Sequence, residues 1–128
     1  LVALRLQVPL VFAKKRPGSN QGGAEQYTAA VRSYTKGGVN TIGVSREYLS
    51  AADRVLVIDD FMAMGEAAEG LCSLIHQAGA ALAGVGVVIE KGFQPGGDRL
   101  RAQGIRVEAL ARIRSIGPDG DIRFDGEQ

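Results

Sequence analysis

The sequence predicts an α/β domain with a mostly parallel central sheet, and three observations carry that reading. Two short apolar runs, Val55-Leu56-Val57-Ile58 and Val85-Gly86-Val87-Val88-Ile89, have the length and β-branched content of strands buried on both faces. Between them Ala67, Leu71, Leu74, Ile75 and Ala78 recur every three or four residues, which is one face of a helix lying on a sheet. Strand, helix and strand in that order form a βαβ unit, the connection that parallel pairing requires. With 128 residues, 45% of them apolar, the chain can bury one sizeable core, so residues 1–128 are expected to form a single domain.

Leu1 to Arg5 reads as a helix end. Val8-Pro9-Leu10-Val11-Phe12-Ala13 reads as a buried strand whose proline stands near its start, where a missing N–H is tolerated. Lys14-Lys15-Arg16 then enters Pro17-Gly18-Ser19-Asn20-Gln21-Gly22-Gly23, which is too polar and glycine-rich to pack and reads as a mobile loop with a basic root. On composition alone that root is a solvated basic turn. Tyr27 to Tyr34 and Thr41 to Ser45 flank Thr35-Lys36-Gly37-Gly38, the residue types of a tight reversal, and read as a hairpin. Polar, irregular Arg46 to Asp53 leads into the central strand, Val55 to Ile58. The helix is expected from Glu66 to Gln77, stopped by Gly79. After Val85 to Ile89 come a short helix from Gly97 to Gln103, a strand from Arg106 to Ile113, and a turn at Asp119-Gly120 into Ile122-Arg123-Phe124.

The chemistry concentrates where the central strand ends, at Asp59-Asp60-Phe61-Met62-Ala63-Met64-Gly65-Glu66-Ala67. Ligands of open α/β sheets bind at the carboxyl edge of the strands, and a loop opening a helix offers unpaired N–H groups and a positive dipole end to an anion. The expected ligand therefore has hydroxyls or a metal for Asp59 and Asp60, and a phosphate for residues 63–67. Gly65 and its small neighbours allow close backbone approach. Lys91 follows the next apolar run after one glutamate, so it can reach the same edge, although a strand-end lysine is often only solvated. His76 has no partner at metal-ligand spacing, and Cys72 reads as a packed thiol without a catalytic task.

The stretch from Val55 to Ala67 resembles the signature of the type I phosphoribosyltransferases, enzymes that use 5-phosphoribosyl-1-pyrophosphate (PRPP). Glu90-Lys91-Gly92-Phe93-Gln94-Pro95-Gly96 and Val107-Glu108-Ala109-Leu110-Ala111-Arg112-Ile113 extend the resemblance to the xanthine branch, over nearly the whole chain. It implies a type I phosphoribosyltransferase fold with a flexible hairpin lid, and transfer of phosphoribose from PRPP to xanthine, giving xanthosine 5'-monophosphate and pyrophosphate. It also implies roles. Asp59 and Asp60 lie against the ribose hydroxyls and near Mg²⁺. Ala63, Met64, Gly65, Glu66 and Ala67 cradle the 5-phosphate, with Met64 and Ala67 departing from the polar residues usual there. Lys91 and Phe93 meet the base, while Lys14 and Lys15 serve the pyrophosphate under the lid, often across a homodimer interface. The family further carries a segment upstream of this stretch, so the 128 residues alone are not expected to turn over. Two alternatives remain: a PRPP-sensing domain of a purine-operon regulator, and a transferase for another purine base.

A net charge of +1 gives no reason to expect nucleic acid or an anionic membrane as partner. A single cysteine makes no internal disulfide and suits a reducing cytoplasm, and no apolar run approaches the length of a membrane span.

Overall fold

A computed structural model describes residues 1–16, 25–33 and 37–126. After a short helix α1 (Val2–Leu6), strands β1 (Lys14–Arg16), β2 (Gln26–Arg32) and β3 (Val39–Ser45) form an antiparallel sheet in the order β1-β3-β2. Then come β4 (Arg54–Met62), α2 (Glu66–Gln77), β5 (Ala81–Lys91), α3 (Gly96–Ala102), β6 (Val107–Ile116) and β7 (Ile122–Phe124). The second sheet runs β4-β5-β6-β7. Its first three strands are parallel, and β7 folds back antiparallel on β6. The expected βαβ core, the α3 stretch and the final turn are therefore present, with ends shifted by a few residues.

Helix α2 joins the two sheets. Its Ala68 and Ile75, with Leu100 of α3, pack on Val57, Met62, Val85, Val87 and Val107. Leu74 and Ala78 pack on Val44 and Leu49, extending the apolar contact to the antiparallel sheet. At Gly70 the helix lies close against β2: a Cβ there would stand 2.6 Å from Val31 Cγ2. The helix ends as its sequence predicts. Gly79 takes φ 68°, its N–H donates to His76 O, and the Ala80 N–H donates to Ile75 O, closing both carbonyls in a Schellman motif.

Three expectations are corrected. Residues 8–13 form no strand, and Val8, Leu10, Val11 and Phe12 are exposed. Apolar content alone does not make a strand; a partner edge must supply hydrogen bonds and cover, and no described strand pairs with this segment. Second, Lys14–Arg16 is a strand, with Lys14 opposite Gly43 and Lys15 opposite Ile42. Third, β4 is an edge strand rather than the central one. Both helices share one hydrophobic cluster, and β4 and β5 alternate accordingly, with Val57 and Val87 buried but Leu56, Ile58 and Val88 exposed. The lid tip at 17–23, and Thr35 and Lys36 of the turn at 35–38, lie outside the described residues. Among the described residues no helix is long and apolar enough to cross a membrane.

Candidate active site

Parallel pairing aligns the carboxyl ends of β4 and β5. Asp59 stands opposite Val87, Phe61 opposite Ile89 and Met62 opposite Glu90, so the acidic pair and Lys91 come to one edge of the sheet although some thirty residues separate them. Asp59 is half-buried and accepts the N–H of Asp60 on Oδ1 at 2.9 Å. Burial pushes its carboxyl above the ordinary range, with the Asp60 charge adding to the rise and the backbone hydrogen bond opposing it. Asp60 is exposed. Neither acid forms an ion pair among the described residues.

Residues 63–65 connect this strand end to α2. Gly65 is the N-cap, at φ 91° and with no side-chain cap, so among the described residues no side chain satisfies the first N–H groups of the helix. Two constraints require glycine there: the positive φ, and a Cβ position only 2.8 Å from Gly96 Cα. Gly96 meets the loop in turn, its N–H donating to Ala63 O at 3.0 Å. Glu66, the first helical residue, lines a groove with Thr28, Arg32 and Glu69 between α2 and β2, and Ala67 beside it is exposed.

Lys91 ends β5 with Nζ 5.2 Å from the centroid of the Phe61 ring, a cation–π distance. Phe61 was not apparent as a site residue from sequence, although its place directly after the acidic pair was the available signal. Phe93 is about half exposed beyond Lys91. Lys14 and Lys15 are exposed on β1, in the other sheet from Asp59 and Asp60. His76 is exposed in the last turn of α2, and Cys72 is a half-buried free thiol whose pKa burial raises, with Glu69 adding to the effect.

The least expected feature lies one residue before Lys91. Glu90 is 1% exposed, and Arg101 grips it with two hydrogen bonds of 2.8 Å, Nη1 to Oε1 and Nη2 to Oε2. Arg112 Nε stands 3.5 Å from Oε1, an ion-pair distance rather than a good hydrogen bond. The Arg101 bonds hold the Glu90 carboxyl below its ordinary pKa against the opposing effect of burial. Asp98 also meets both guanidiniums, at 3.2 Å from Arg101 and 3.5 Å from Arg112.

Among the described residues no three His, Cys, Asp or Glu side chains gather into a metal site. Asp59 and Asp60, adjacent carboxylates that form no ion pair among the described residues, are hard oxygen donors of the kind that suits Mg²⁺.

The architecture is that of the type I phosphoribosyltransferases. Adenine phosphoribosyltransferase from Rhodothermus marinus superposes with a TM-score of 0.73 at 25% identity, over 87% of this chain and 60% of that one. The Trypanosoma brucei adenine phosphoribosyltransferase gives 0.74 at 20% identity over 99% and 54%, a likeness of fold alone. In sequence the chain is 56% identical over 124 residues to the xanthine phosphoribosyltransferase of Moorella thermoacetica and 51% identical to that of Bacillus thuringiensis, each over 97% of this chain. No family model matches the sequence. These likenesses run over nearly the whole of this chain, which spans 62% of the length of these curated relatives.

Proposed function

We propose that this chain is the PRPP-binding and base-facing part of a xanthine phosphoribosyltransferase, transferring phosphoribose from PRPP to xanthine and releasing pyrophosphate. The observation that carries the reading is the convergence at one sheet edge of an uncompensated acidic pair, an uncapped helix start and a lysine against an aromatic ring. Residues 1–128 act in it as one domain.

A base nitrogen attacks the anomeric carbon of the ribose while pyrophosphate leaves, and positive charge builds on the sugar ring. No covalent nucleophile is required, so the protein positions the reactants and supplies fixed charge. Asp59 and Asp60 bind the ribose hydroxyls, and their charge favours the cationic ring. The backbone N–H groups of residues 63–67 take the 5-phosphate. Lys91 donates to a xanthine carbonyl oxygen, where adenine would present an amino donor that a lysine cannot satisfy. Phe61 holds that lysine, and Phe93 packs on the base. Asp59 and Asp60, together with the substrate phosphates, would hold Mg²⁺, which would supply countercharge to the leaving pyrophosphate. Lys14 and Lys15 serve the pyrophosphate of a neighbouring subunit in a cytoplasmic homodimer; their place on a separate, exposed strand supports that division.

Steady-state kinetics of the full chain with xanthine, hypoxanthine, guanine and adenine test the proposal. Xanthine is expected to be preferred. A folded protein that binds PRPP and consumes none of the bases would instead be a PRPP sensor. For the dimer, mixing a Lys14→Ala/Lys15→Ala chain with an Asp59→Asn/Asp60→Asn chain should restore activity, and a mixture no better than its parts would place the lysines in their own chain's site or outside the reaction.

A further inference from the structure

We propose that Glu90 is a positioning residue that fixes the phosphate-side loop and the base-side lysine to one another, so that both substrates meet a single rigid frame. The inference rests on the functional reading above, and its observations are geometric. On the base side, Glu90 immediately precedes Lys91, and the main chain beyond is tied down by the Gly92 N–H donating to Ile113 O at 2.8 Å and the Gln94 N–H donating to Lys91 O at 3.0 Å. On the phosphate side, the link is α3. Its Arg101 holds the Glu90 carboxylate, and its first turn lies so close that a Cβ on Gly97 would run into Glu90 Oε1.

The same first turn presses on the phosphate loop. A Cβ on Gly96 would fall 2.6 Å from Gly65 N, the Gly96 N–H bonds Ala63 O, and Arg99 Nη1 donates to Met64 O at 3.3 Å while its Nη2 meets Glu69 at 2.6 Å. Thus two of α3's residues, Gly96 and Arg99, hold the backbone or the helix that would bind the 5-phosphate, and a third, Arg101, holds the acid beside Lys91. A bidentate guanidinium–carboxylate pair fixes angle as well as distance, which a lysine or a neutral amide does not. Glu90 touches neither substrate in this account and acts through α3 and Lys91.

The prediction is a two-sided effect. In the full chain Glu90→Gln, nearly isosteric but uncharged, should weaken PRPP binding measured calorimetrically without base and raise the KM for xanthine, each by roughly tenfold, as small misplacements of binding groups do. Lys91→Ala should move the xanthine KM alone. Arg101→Lys keeps the charge and loses the fork, and its side chain is 35% exposed, so it provides a second variant should the buried substitution fail to fold. It too should shift both constants, by less. A folded variant of either kind with lowered thermal stability but both constants within about twofold of the parent overturns the proposal and leaves Glu90 a purely structural acid. An active parent with unshifted variants sinks this inference only. A parent that binds PRPP but uses no base sinks the functional reading, and PRPP affinity in the variants then decides whether Glu90 holds the loop.

Discussion

The ends of β4 and β5 lie side by side and both carry acid, yet the protein treats them in opposite ways. Glu90 is buried, gripped by Arg101 and approached by Arg112, and its carboxyl is held below the ordinary range. Asp59 has no guanidinium beside it among the described residues, lies against the Asp60 charge, and is pushed upward by burial. Where the fold supplies the countercharge, the acid holds the structure together. Where it does not, the charged form is less favoured than in a free carboxylate, and a ligand that brings hydroxyls or a cation gains the difference.

The sharpest way to break this comparison is to remove the charge at β4. Asp59→Asn with Asp60→Asn should lower PRPP affinity at least about a hundredfold, as loss of preorganised electrostatic groups does, while circular dichroism stays unchanged. Unaltered affinity by calorimetry would remove the acidic pair from the site. At β5 the neutral substitution should act on stability. Glu90→Gln is expected to cost about 2 kcal/mol in denaturant unfolding, below the roughly 3–5 kcal/mol of a fully buried broken pair because Arg101 is 35% exposed and can turn to water. A similar loss, about 2 kcal/mol, is expected for Gly65→Ala, from the positive φ and the Gly96 backbone that its Cβ would meet. Gly104 makes the control, since its φ is also positive but nothing stands within 4 Å of a Cβ there, so Gly104→Ala should cost less.

A smaller, signed effect comes from pH. The folded pKa of Glu90 is depressed, so its stabilisation is full above the ordinary carboxylate pKa and is lost as pH falls through the lowered folded value. Asp59 has the opposite sign: its raised folded pKa favours the folded state below the ordinary value, and that advantage disappears as pH rises through the folded value. Near neutrality Asp59→Asn should therefore raise the melting temperature slightly, while Glu90→Gln lowers it and removes part of the acid dependence. Melting curves from neutral pH to below the carboxylate range check both signs. An Asp59→Asn protein less stable than its parent would show that the free carboxylate is satisfied after all.

The local sequence determined the βαβ unit, because its periods and its terminal glycine need only neighbours along the chain: α2 occupies the expected residues and Gly79 caps it. It also determined that Asp59 and Asp60 lie late in a strand ahead of a helix start, although β4 runs two residues further, to Met62. Tertiary structure decided what depends on a distant partner. Residues 8–13 have the composition of a buried strand and form none, since no described edge receives them. Nothing in the sequence around Arg99, Arg101 and Arg112 names their partners. They became a clamp only when α3 crossed onto β5 and β6 and set them against Glu69, Met64 and Glu90. Phe61 joined Lys91 only through the parallel register of β4 and β5. Side-chain charge and period are written locally, but whether a charge meets a countercharge or a ligand depends on which strand ends the fold brings together.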